Sequence, residues 1–167
     1  MMISESSYRQ LNNLATLCFD ANAVFDNLAY NLDYYYYGKI AKIVHLNIAH
    51  LMPEWADIIT DKMLVLGLRP TRGTIGSYEQ DIPEVKTVFE QLHITLLNLR
   101  KNCCDLIATA DLNDDDEVRI FGEEFLTKIT PFIKQSEEWL KIIGDIGANE
   151  LNIHILEYTN FINVDKQ

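Results

Sequence analysis

The stretch "PEWADIITDKMLVLGLRP" (residues 53–70) decides how the chain divides. Its apolar residues recur at helical spacing. Gly67 and Pro70 then close the run, because glycine suits the left-handed turn after a helix and proline resists continuing one. Followed backward, the same periodicity reaches residue 39. The reading is therefore one helix over about 39–66, with Ile40, Val44, Ile48, Leu51, Trp55, Ile59, Met63 and Leu66 on its apolar face. A helix turns about 100° per residue, so His50, Glu54, Asp57 and Asp61, at i, i+4, i+7 and i+11, fall roughly opposite that face. An outward acidic stripe excludes metal ligands aimed into the helix bundle. Two readings stay open: a plain solvated face, or one half of a site shared with another subunit.

Working outward, a first helix is expected over about 7–31, from Leu11, Leu14, Leu17 or Cys18, Ala21, Val24 or Phe25, and Leu28. Residues 69–83 hold Pro, Gly, Thr and Ser and read as a long crossover, with Tyr78 anchoring a short helix inside it. A third helix opens near Pro83 and carries Val85, Phe89, Leu92, Leu96, Leu99, Cys103, Leu106 and Ala110. "DLNDDDEV" (111–118) breaks it, and offers an N-cap and acidic residues to the next helix. That fourth helix covers about 116–143, with Val118, Phe121, Phe125, Ile129, Phe132 or Ile133, Trp139, Leu140 and Ile143 inward and a bend at Pro131. The tail, 144–167, reads as either a short helix or an extended piece. The expectation is an all-α single domain, 1–167. It is a ferritin-like four-helix bundle over about 7–143 with a long central crossover between helices two and three.

Bulk properties narrow the function classes. The chain has 167 residues, 48% of them hydrophobic, enough for one real core. Lys and Arg number 14 against 25 Asp and Glu, a formal net charge of −11. That balance disfavours direct DNA binding, which needs clustered cations against the phosphate backbone. No apolar run is long enough for a membrane helix, and "MMISESSYRQ" lacks the charged and apolar regions of a secretion signal. Three cysteines, two adjacent (Cys103 and Cys104), make neither a disulfide framework nor a zinc site. A soluble, cytoplasmic protein without membrane contact is expected.

Residues 56–80, "ADIITDKMLVLGLRPTRGTIGSYEQ", resemble the end of helix two and the crossover of Dps proteins, the DNA-binding proteins from starved cells, within the ferritin-like superfamily. The family pattern there is Asp-x3-Glu, Leu-Gly-x-x-Pro, then Gly-Thr and Tyr. The segment 113–140, with Trp139, resembles the family's fourth helix. The resemblance covers about residues 10–145. It implies a homo-oligomer, a hollow dodecamer whose subunits oxidise ferrous iron and store the mineral. It also implies a site between two subunits, with two histidines from one and the Asp and Glu from the other.

Carried over by position, Asp57 matches the Asp, and Asp61 stands where the Glu belongs, one methylene shorter. Lys42 and Tyr30 stand at the histidine positions; His45 and His50 are near but out of register without an insertion. The implied iron candidates are Asp57 and Asp61, with His50 and Glu54 as secondary ones. Whether iron or the Lys42 ammonium answers the two aspartates is left open, and with it whether the chain is a ferroxidase at all. The resemblance therefore implies a Dps-like shell protein for iron sequestration, iron storage and oxidative-stress protection, with weakened or lost ferroxidase activity. The alternative is a non-catalytic structural or interaction paralogue without metal chemistry.

Glu90 and His93 form a second pattern, the i, i+3 pairing of di-iron bundles, but lack partners on the other helices. Cys103 reads as core, and "LDYYYY" (32–37) as a packed loop or a subunit contact. No nucleophilic triad and no phosphate loop is visible.

Overall fold

The protein is described here by a computed structural model over residues 2–146. Among those residues all regular structure is helical: α1 (Glu5–Tyr34), α2 (Gly38–Ile43), a π-helical segment (Val44–Ala49), α3 (Leu51–Val65), α4 (Val85–Leu112) and α5 (Asp116–Ile146). The expected helix over 39–66 is thus one rod with a π-turn in its first half, a break the apolar periodicity did not announce. The expected short helix around Tyr78 is absent; the Tyr78 hydroxyl instead donates to Asp20 Oδ2 at 2.7 Å. α5 runs through Pro131 without ending. Residues 147–167, with most of the expected tail, lie outside the described residues.

Apolar faces decide the packing. Leu11, Leu14, Cys18, Phe25 and Leu28 of α1 are fully or almost fully buried, as are Phe89, Leu92, Leu96 and Leu99 of α4. α1 packs on both α3 and α4, and α4 packs on α5. The ring of neighbours closes where Trp55 of α3 meets Phe125 and Phe132 of α5, at 5.6 and 5.5 Å between ring centroids. These edge-to-face contacts suit the charge distribution of aromatic rings. The circuit α1–α3–α5–α4 is compatible with a four-helix bundle.

Residues 66–84 carry no regular structure, so their backbone polar groups need other partners. α3 ends as its Gly67 foretold: φ is +74°, and the Leu68 amide reaches back to the Met63 carbonyl at 2.9 Å. From there the chain runs along the outside of α1. The Tyr8 hydroxyl bonds the Arg69 carbonyl, Asn12 takes the Thr71 amide, Thr16 the Gly73 amide and Asp20 the Gly76 amide. Arg72 lies 3.6 Å from the centroid of the Phe19 ring, a cation–π contact. Asn31 closes the series: its Nδ2 donates to the Gln80 carbonyl at 2.9 Å, and its Oδ1 accepts the Ile82 amide at 2.7 Å. These pairs advance together, so the segment runs in the direction of α1 and delivers α4 to the C-terminal end of that helix.

Asp115, the residue before α5, ties the other end. Its carboxylate accepts from the Ser4 amide and from Ser4 Oγ, the latter at 2.5 Å, while Ser4 Oγ itself accepts the Ser7 amide and caps α1. Burial pushes the Asp115 carboxyl up. The donors of Ser4, helped by the nearby Ser7 hydroxyl, outweigh burial and hold it below the ordinary value. A carboxyl lowered in the folded state stabilises fully above its unfolded value of about 3.9, and less as the pH falls through its folded value.

Asn31→Ala strands the buried Ile82 amide and the Gln80 carbonyl, and urea denaturation should show a loss of about 1–3 kcal/mol. The stability gap between wild type and Asp115→Asn should narrow as the pH drops below about 4, and a gap constant from neutral pH to strong acid contradicts the assignment.

Candidate functional site

The π-turn positions His45 and His50, and Pro53 explains why it exists. Proline has no amide hydrogen, so Pro53 cannot donate to the Ala49 carbonyl four residues earlier, and its ring crowds that carbonyl. The helix widens before Pro53: the His50 amide bonds the His45 carbonyl at 3.1 Å, a step of five residues. The fully buried Ala49 gives its carbonyl to Asn22 Nδ2 of α1 at 2.8 Å. Polar satisfaction is restored by a side chain from another helix.

A five-residue step sets His45 and His50 one above the other, with ring centroids 4.3 Å apart. His45 Nδ1 lies 2.8 Å from Asp26 Oδ1 of α1. The Tyr30 ring lies 6.3 Å from that of His45 between centroids. Tyr30, Asp33, Lys42 and His45 line one depression together with Gly38 and Ala41. The structure therefore brings together the two positions that the resemblance assigns to histidines, Tyr30 and Lys42, and adds His45 to them.

His50, Glu54, Asp57 and Asp61 are all exposed, opposite the buried Trp55, Ile59 and Met63. Neither the Asp57 nor the Asp61 carboxylate has an ion-pair partner among the described residues. The two aspartates do not meet Lys42 or Tyr30 within one chain. Among the described residues no three His, Cys, Asp or Glu side chains converge on a point where a cation could be held. For iron, this chain offers carboxylates in one place and, in the other, an ammonium and a phenol beside a single imidazole already engaged by Asp26. Those two groups do not fit a ferrous ion, so no reaction step is derived from the depression.

The remaining candidates resolve into structure. His93 Nδ1 lies 2.6 Å from the buried Ser136 Oγ, which itself donates to the Ile133 carbonyl at 2.7 Å. Ser136 has a single hydroxyl proton, already given away, so it accepts from His93 and is not activated as a nucleophile. Glu90 faces Lys86 at 3.9 Å, one helical turn away, so Glu90 and His93 are tied to different partners. Burial pushes the thiols of Cys18 and Cys103 up to about 12, which keeps both protonated and unreactive. His154 lies outside the described residues. In the tyrosine run, Tyr37 is buried, and the Tyr35 hydroxyl bonds Asp81 at 2.5 Å, which raises its pKa to about 12. Tyr34 and Tyr36 are 74% and 81% exposed, and Tyr36 holds φ at +73°, a conformation bulky residues avoid.

Sequence reasoning set His45 aside as out of register, kept His50 only as a secondary iron candidate, and passed over Asp26 and Asn22. The one available signal was Pro53, which sits too far into an unbroken apolar pattern to be a first-turn residue. No helix among the described residues is long and apolar enough to cross a membrane. The sequence matches no family model and no curated protein.

Asn22→Ala should cost about 1–3 kcal/mol by leaving the buried Ala49 carbonyl without a donor. Adding Pro53→Ala should recover part of that loss by returning a backbone donor. A double-mutant cycle with no coupling contradicts the account.

Proposed function

We propose that the protein is a ferritin-like, Dps-type shell subunit that assembles into a closed homo-oligomer, most simply a dodecamer. Its role is iron sequestration and protection from oxidative stress, with ferroxidase activity weakened or lost. The observation that carries this reading is the path of residues 66–84. The hydrogen bonds that these residues make along the outside of α1 support a long crossover with α3 and α4 parallel, as in the ferritin-like layout and unlike a simple up-and-down bundle. The resemblance of residues 56–80 falls on this same segment.

Iron enters here as substrate. Asp57 and Asp61 are exposed carboxylates suited to it. The Lys42 and Tyr30 side of the depression is not suited to it. In a shell, the Lys42 ammonium of one copy would stand near Asp57 and Asp61 of its neighbour and neutralise them without metal. Charge pairs of this kind fix register and partner choice more than they add affinity. The same observation favours a second reading, a non-catalytic structural or interaction paralogue that keeps the assembly and has no metal chemistry. With a charge of −11 per chain, neither reading includes direct DNA binding.

Anaerobic ferrous loading followed by peroxide separates the two. A sequestering shell takes up iron slowly, Asp57→Asn/Asp61→Asn lowers the uptake, and Lys42→His speeds oxidation. Equal uptake by wild type and the double variant leaves only the structural reading. Rapid oxidation by wild type that depends on these aspartates overturns the assignment of Lys42.

A further inference from the structure

Among the described residues, two histidines meet on the outer face of the π-turn. We propose that His45 and His50 form a chelating site for a borderline divalent transition cation, with Cu2+ as the tightest-binding member of that class. Imidazole nitrogen suits these metals, and for nitrogen and oxygen donors affinity rises to a maximum at Cu2+. The two rings lie 4.3 Å apart between centroids, on one helix whose geometry is fixed by Pro53 and by the Asn22 bond to Ala49. Both are reachable: the His45 side chain is 36% exposed, and His50 is exposed.

Asp26 prepares His45 for this role. A carboxylate can only accept, so the proton shared at 2.8 Å sits on His45 Nδ1, and Nε2 carries the lone pair. A ring held at one nitrogen by a carboxylate and open at the other is the usual arrangement of a metal-binding histidine. The rings stand at 62° to one another, so chelation requires His50 to turn about its own side-chain bonds while His45 stays held. Around them, Asp26 and Glu54 favour a cation, and Lys42, one turn before His45, opposes it. With no third ligand among the described residues, water completes the coordination, which a tetragonal cupric ion tolerates. Both ligands belong to one chain, so the site requires neither assembly nor iron chemistry and stands apart from the shell reading.

The test titrates the full chain with Cu2+ against a competing chelator, and counts coordinated nitrogens from the hyperfine pattern in electron paramagnetic resonance. Wild type should bind one Cu2+ through two imidazole nitrogens. His45→Ala or His50→Ala should each weaken binding at least about tenfold, and Asp26→Asn by about 10–100-fold through loss of the supporting carboxylate. Lys42→Gln should tighten binding, while His93→Ala, at a histidine held by Ser136, should change nothing. Circular dichroism checks that each variant folds. Unchanged affinity in His50→Ala, or a single-imidazole spectrum in wild type, overturns the proposal.

Discussion

Residues 66–84 have no helix or strand of their own, and a backbone in that state must find outside partners for its amides and carbonyls. α1 supplies them. Asn12, Thr16, Asp20 and Asn31 lie along its outer side, and each takes a backbone amide of the passing segment. Because those contacts advance steadily along α1, the segment is drawn to the far end of the helix before α4 begins. The direction of α4, and with it the pairing of α4 with α5, follows from this polar seam. Apolar burial drives collapse, but it is non-directional and does not by itself choose between two helix directions.

A second constraint works within the rod formed by α2, the π-turn and α3. Pro53 removes one donor, and the chain answers with a wider turn and with Asn22 reaching from α1. One local deficit thus sets three features of the surface: the close approach of His45 to His50, the bond between His45 and Asp26, and the place of Lys42 at the edge of the depression with Tyr30. π-turns of this kind recur at functional sites because they re-aim side chains that an α-helix would spread apart. Here the re-aimed residues are the two imidazoles, while Asp57 and Asp61, beyond Pro53, keep ordinary helical spacing.

The helices were legible because their apolar residues repeat without gaps: Phe89, Leu92, Leu96, Leu99 and Cys103 are buried where the pattern puts them. Gly67 and the acidic break at 111–118 marked ends correctly, since both act through local backbone chemistry. The outward direction of Glu54, Asp57 and Asp61 also followed from spacing alone. What spacing could not give was the partner of each polar group. Asn12, Thr16, Asp20 and Asn31 look in sequence like any solvated helix face, and Asn22 like a residue of poor helix propensity. Their roles depend on segments tens of residues away. His45 escaped for a related reason, because its partners are Asp26 on another helix and His50 across the π-turn.

We propose that this polar-seamed bundle is the subunit of a hollow particle. Electron microscopy of the purified full chain at physiological salt tests it most directly. Uniform closed shells are expected, with the Tyr30 and Lys42 depression of one copy facing Asp57 and Asp61 of the next. A monomer or an open, non-closing assembly, or a closed particle in which those residues point to solvent, would contradict it.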